Sequence, residues 1–126
     1  MNTELNINTL AEDYIAVWNE PDEAQRKARI RRLWAKNGKH FTPSMAVHGY
    51  EELDARVTTA YQKWVQQAGY RFHHCGEVQD HHLGVYFQWE MRDANGKTVS
   101  VGFDFLQLDE AGAIISDHQF LGKNPA

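Results

Sequence analysis

The chain has too little of several things to belong to several classes of protein. A single cysteine, Cys75, has no partner for an internal disulfide, which excludes a disulfide scaffold and fits a reducing compartment. No apolar run approaches the roughly 20 residues a spanning helix needs, so no membrane is expected as a partner. Basic residues are outnumbered, and the net charge of −4 gives no electrostatic case for binding nucleic acid or an anionic surface. The opening "MNTELNINTLAEDY" has neither the basic start nor the apolar core of a secretory signal. Repeats, low-complexity tracts and linkers are missing too. The expectation is a cytoplasmic protein forming a single domain over 1–126, and the 42% hydrophobic content is enough for one core.

What is present reads as helices first and strands afterwards. Thr9 followed by Glu12 has the spacing of a capping box, and Leu10, Tyr14, Val17 and Trp18 then recur at helical spacing to about Asn19. Pro21 and Asp22 open a second helix with Ile30, Leu33 and Trp34 on its stripe, and Asn37-Gly38 supplies its stop. "KHFT" reads as a short strand and "PSMAVHG" as a loop. A third helix carries Leu53, Val57, Tyr61, Trp64 and Val65 and ends at Gly69. Beyond it the period changes to two, with strands near 70–79, 83–93, 97–109 and 113–121. Asn95-Gly96 is the strongest hairpin signal, because both residues tolerate positive φ. Three helices before a four-strand antiparallel meander predict an α+β domain with helices packed on one sheet face.

Strand 97–109 is apolar on both faces. Helices can cover only one, so Val99, Val101, Phe103 and Phe105 need a second cover, most simply another copy of the chain. The other face carries Asp104 beside Ser100 and Gly102, and an unpaired carboxylate inside a strand is costly.

"DYIAVWNEPD", "HFTPSMAVHG" and "GKTVSVGFDFLQLDEAGAIIS" are the stretches in which the chain resembles the nuclear transport factor two-like superfamily. That group includes SnoaL-type polyketide cyclases and ketosteroid isomerases, and the likeness covers nearly the whole chain. It implies a cystatin-like cone: a strongly curved antiparallel sheet wrapped around a long helix, with an open pocket. It also implies a homodimer joined through the outer sheet face, and a small apolar ligand with no cofactor.

Beside ketosteroid isomerase, in which a carboxyl is kept neutral by an apolar site, Tyr14 falls at the oxyanion-hole tyrosine and Asp104 at the protonated aspartate. On that reading Asp104 points into the cone, where burial would raise its pKa and let it donate to a ligand carbonyl. The general base would fall at Thr42, whose hydroxyl is too weak a base for the role. His40 shares Thr42's face and is the substitute, as is Asp117 on the last strand. An ungapped comparison turns Asp117 and Gln119 inward and His118 and Phe120 outward, although a one-residue slip would exchange the pairs. The same comparison turns Phe87, Trp89 and Met91 toward the cone, where with Trp18, Thr42 and Ser100 they would suit a flat, apolar, carbonyl-containing ligand. Each has a plain alternative: Tyr14 and Trp18 suit a core, and Asp104 or His40 could be structural groups hydrogen-bonded in the wall.

The cluster "HHCGEVQDHH" invites a metal reading. His73 and His74 are adjacent in a strand and face opposite ways, however, and His81 and His82 sit at a turn, so no metal is expected. Cys75 has no activating neighbour and is assigned no chemistry. The resemblance implies a pocket protein, acting either as a cofactor-independent isomerase, cyclase or hydrolase-type enzyme or as a non-catalytic binding or dimeric scaffold module.

Overall fold

The computed structural model describes residues 6–122. Helix α1 (Ile7–Asn19) is followed by α2 (Glu23–Leu33), strands β1 (Trp34–Thr42) and β2 (Met45–His48), and helix α3 (Gly49–Ala60). The axis of α3 continues as a π-helical segment, Tyr61–Gln67. Among the described residues four more strands follow: β3 (Arg71–His81), β4 (Gly84–Arg92), β5 (Thr98–Leu108) and β6 (Ile114–Leu121), which with β1 and β2 make six. They form one curved, unclosed sheet in the order β2-β1-β6-β5-β4-β3. Every neighbouring pair is antiparallel except β1 with β6, which run parallel.

Several boundaries differ from expectation for identifiable reasons. Asn6, not Thr9, caps α1, its side chain accepting from the backbone N–H groups of Asn8 and Thr9. Helix α2 stops at Leu33, so Trp34 opens β1 instead of ending the helical stripe. Tertiary packing overrides the local pattern here, because Trp34 is 1% exposed and pairs with Ile114 of β6. Gly38 is therefore no helix stop but a close crossing. A Cβ there would lie 2.9 Å from the carbonyl oxygens of Ala35 and Ile114. "PSMAVHG" is no loop either: Pro43 and Ser44 form a tight turn, and Met45–His48 folds back on β1 as an edge strand.

The meander strands lie close to where alternation puts them. Bulges bend them into a curve, one between Cys75 and Gln79, where Gly76 takes φ +74. A second shift, where Met91 pairs with Ser100 but Arg92 with Thr98, leaves Val99 as the extra residue. Val99 consequently packs toward the interior, not on the outer face with Val101, Phe103 and Phe105. That outer face carries Tyr86 stacked on Phe103 at 5.8 Å, with Phe105 and Phe120 exposed beside them.

Helix α1 lies against β3 and β4, and α3 packs on α2 and β1. Between helices and sheet sits one core whose largest sealed side chains include Trp34, Tyr14, Phe87, Ile30, Leu53 and Leu106. Each such burial contributes about 1.5–3 kcal/mol. Among the described residues no helix is long and apolar enough to cross a membrane.

Candidate functional site

Four polar side chains from four elements meet inside this core. Tyr14 comes from the buried stripe of α1, His40 from β1, Asp104 from β5 and Asp117 from β6. His40, Asp104 and Asp117 are all 0% exposed and Tyr14 is 1% exposed. Strand register brings them together: His40 is the direct partner of Asp117 across the parallel pair, and Asp104 is the partner of Gln119 two residues further along β6. Asp117 and Gln119 therefore point inward, while His118 and Phe120 are exposed.

Proton positions follow from the contacts. The Tyr14 hydroxyl lies 2.6 Å from Asp117 Oδ2 and 2.9 Å from Asp104 Oδ2. A hydroxyl has one proton to donate. It goes to Asp117, so Asp104 must hold a proton of its own, which it shares between Tyr14 Oη and Asp117. The remaining oxygen, Asp104 Oδ1, accepts from Trp89 Nε1–H at 2.7 Å. Electrostatics agree, since burial first, and then the charge of Asp117, push the Asp104 carboxyl well above its usual range. Asp117 is pushed up by burial only to about 6, because hydrogen bonds with Asp104 and Tyr14 and the charge of Arg56 favour its ionised form. Two carboxyls in one pocket thus hold different protonation states at neutral pH.

Burial, reinforced by the nearby Arg56 charge, lowers the His40 pKa to about 4, so its imidazole is neutral at pH 7. Its Nδ1 lies 2.8 Å from Asp117 Oδ2 and donates to it, leaving Nε2 to accept from Arg56 Nε at 3.3 Å. The result is a chain whose two arms converge on Asp117 Oδ2: Arg56 donates to His40 and His40 to Asp117 on one side, while Trp89 donates to Asp104, Asp104 to Tyr14 and Tyr14 to Asp117 on the other. One atom stands outside it: Asp117 Oδ1 is buried and has no hydrogen-bond partner. His40, Asp104 and Asp117 could also hold a metal ion, since they offer three ligand atoms within 4.8 Å of one another. The hydrogen-bond chain accounts for the same atoms without one.

A cavity of about 730 Å³ opens beside this chain, within the usual range for small-ligand sites. Trp18, Thr42, Trp89, Met91, Ser100 and Gln119 line it, as the sequence suggested. Phe87 does not. It is 0% exposed and packs edge-on against Tyr14 at 5.2 Å, supporting the tyrosine from behind. The acids and His40 lie beneath the wall, whereas Tyr14, Trp89 and Arg56 belong both to the chain and to the wall. The Thr42 hydroxyl accepts from the backbone N–H groups of Ser44 and Met45, which makes it a turn-holding group at the rim.

Sequence reasoning missed Arg56, as well as Lys63, Tyr70 and Phe72 in the wall. A signal for Arg56 existed: it lies three residues after Leu53 and four before Ala60, both buried, so it is a cation on the apolar stripe of α3. The histidine-rich stretch assembles no cluster with them. His81 and His82 bond each other at a hairpin end, and His74 packs near Phe87. Burial raises the Cys75 thiol pKa, which leaves it an unactivated side chain.

Comparison with solved structures yields a consistent set of neighbours. The chain is similar to a candidate isomerase of the SnoaL-like family from Agrobacterium tumefaciens, at 31% identity and TM-score 0.85, covering 92% of this chain and 97% of that one. A candidate SnoaL-like polyketide cyclase from Jannaschia superposes at TM-score 0.69 with 15% identity, over 96% of this chain and 91% of that one. A SnoaL-like protein of unknown function from Burkholderia thailandensis superposes at TM-score 0.71 with 13% identity, over 98% and 100%. No family model matches the sequence, and no match is found among curated proteins.

Proposed function

Because the chain belongs to the SnoaL-like family, we propose that its cavity binds a small hydrophobic, carbonyl-containing ligand and that the buried acids transfer a proton to or from it. The observation that carries this reading is the pairing of a neutral Asp104 with an Asp117 whose pKa is about 6, bridged by a tyrosine in the cavity wall. Removing a proton beside a carbonyl needs a donor at the developing oxyanion and a base at the carbon. Tyr14 is the donor: backed by the Asp104 carboxyl, it turns its single proton from Asp117 to the ligand oxygen. Asp117 is the base; its unpartnered Oδ1 lies beneath the wall, so reaching the ligand's α-carbon requires the wall to open. His40 holds that carboxylate in place as a neutral donor, so it is a positioning residue. The chemistry is isomerisation or cyclisation through an enol.

A second reading has its own support. Asp104, His40 and Asp117 are completely covered, which favours a binding module whose polar chain only shapes the cavity. Deuterium exchange distinguishes the two. 1-Tetralone, a flat apolar ketone, should quench the wall tryptophans, and its α-protons should exchange with solvent faster in the presence of protein. The acceleration should rise with pH through about 6 and be lost in Asp117→Asn. Binding without accelerated exchange would leave the binding module as the function, and no binding would refute both readings.

The same proposal includes assembly. A second copy covers the face formed by Tyr86, Val101, Phe103, Phe105 and Phe120, an exposed aromatic patch of the kind soluble monomers seldom leave in water.

A further inference from the structure

Arg56 is unlike Arg26, whose guanidinium donates to the Glu20 carbonyl oxygen and lies 4.7 Å from the Tyr61 ring centre, and unlike the arginines in ion pairs. Arg29, Arg31 and Arg92 each reach a carboxylate, on Glu20, Asp54 and Glu90 respectively. Arg56 meets none within ion-pair distance among the described residues, although it is half-buried and its guanidinium lies 5.2 Å from the Trp18 ring centre. Its Nε is used on His40, a neutral acceptor. Its two Nη groups make no hydrogen bond among the described residues, yet they are not sealed, and the residue borders the cavity. Burial is the main reason its pKa is lowered, and the electrostatic contributions of Tyr14, Asp117 and Asp104 offset it only in part.

The surroundings point the same way. Among the described residues the cavity wall contains two cations, Arg56 and Lys63, and no aspartate or glutamate. Lys63 stands seven residues further along the same helical axis, with Nζ 4.6 Å from the Trp64 ring centre. Asp117 carries the nearest negative charge, but His40 is interposed, and Asp104 is neutral. A planar guanidinium with two free Nη groups matches the fork of a carboxylate, which it binds through parallel hydrogen bonds. The rest of the wall is largely apolar and aromatic.

We propose that the cavity's ligand is an organic carboxylate, its acid group held by Arg56 and its apolar body against Trp18, Trp89 and Met91. This rests on reading the cavity as a ligand site, and it narrows the ligand class: the bound molecule carries an anion as well as a carbonyl or an aromatic body.

An isosteric pair tests it. 2-Naphthoate and 2-acetylnaphthalene share a ring system and differ in carrying a carboxylate or a neutral ketone. Titration of the native protein at pH 7.5, followed by tryptophan quenching and calorimetry, should give naphthoate about tenfold or greater preference, as charge-assisted hydrogen bonds contribute. Arg56→Met should bring the affinity ratio close to one, and Arg56→Lys, which keeps the charge without the planar fork, should retain part of it. Because the ratio is compared, general damage to the cavity cancels. Equal binding of the two compounds by the native protein would overturn the inference while leaving the ligand site standing. A ratio that survives Arg56→Met but falls in Lys63→Met would overturn the assignment to Arg56. Failure of both compounds to bind the folded native protein would overturn the inference and the ligand-site reading together.

Discussion

Asp117→Asn removes a buried charge and brings in two amide N–H donors. The asparagine oxygen can take the place of Oδ2 and accept from Tyr14 and His40, while its amide occupies the position of the unpartnered Oδ1. Burial raises the Asp117 pKa from 3.8 to about 6, so the folded state holds that proton more tightly than the unfolded chain. Its contribution is therefore undiminished below about pH 4 and is lost as pH rises to about 6, a loss of roughly 3 kcal/mol. His40 works in the opposite sense. Its pKa falls from 6.5 to about 4, so stability is lost as pH drops through that window, again by roughly 3 kcal/mol. In the native protein the two slopes largely cancel between pH 4 and 6. Urea unfolding followed by tryptophan fluorescence should then show Asp117→Asn more stable than the native protein by up to about 3 kcal/mol at pH 8. The gap should close near pH 4, and the variant's stability should climb with pH as the His40 slope is uncovered. A variant less stable than the native protein at pH 8, with native near-ultraviolet dichroism, would refute this. It would mean that Arg56, His40 and Tyr14 stabilise the carboxylate more than burial penalises it.

Three further outcomes are expected. A Cβ at Gly102 would overlap the Trp89 ring, so Gly102→Val should displace the indole from Asp104 and cost about 1–3 kcal/mol, read by thermal unfolding. His82 and Leu83 adopt φ of 49° and 62° in a two-residue turn, so His82→Asn with Leu83→Gly should stabilise the hairpin by about 1–2 kcal/mol, measured by urea midpoint. Sedimentation at micromolar concentration should show a dimer that Val101→Glu with Phe103→Glu converts to monomer, and a native monomer would remove the case for a covered outer face.

Much of the candidate site was legible because strands alternate. An aspartate between Gly102 and Leu106 on an inward face stands out in any sequence, and Tyr14 stands on a helical stripe that faces it. The pairing of His40 with Asp117 was not legible, because a parallel contact between strands 77 residues apart leaves no local pattern. The same contact explains why Trp34 left its helix. Val99 was misplaced because a bulge shifts the face of every residue before it, and bulges leave only weak marks in a sequence. Arg56 escaped notice because a single cation on an amphipathic stripe resembles ordinary solvation at the stripe's edge. Phe87 was assigned to the correct face but not to the correct depth, since alternation cannot tell a wall from what stands behind it.

The place of β6 in the sheet bears on how the chain is made. It is the one strand that joins the N-terminal hairpin of β1 and β2 to the meander of β3, β4 and β5. During synthesis the hairpin emerges early and must wait for residues 114–121 before its inner edge is paired. Until then the nascent chain carries two open edges beyond those of the finished sheet, on β1 and β5, and pairing over such distances is slow. Those edges can recruit a neighbouring chain in the interval. A strand made after both half-sheets therefore fastens them together, and shortening the chain into β6 should produce an aggregating product before it produces an inactive one.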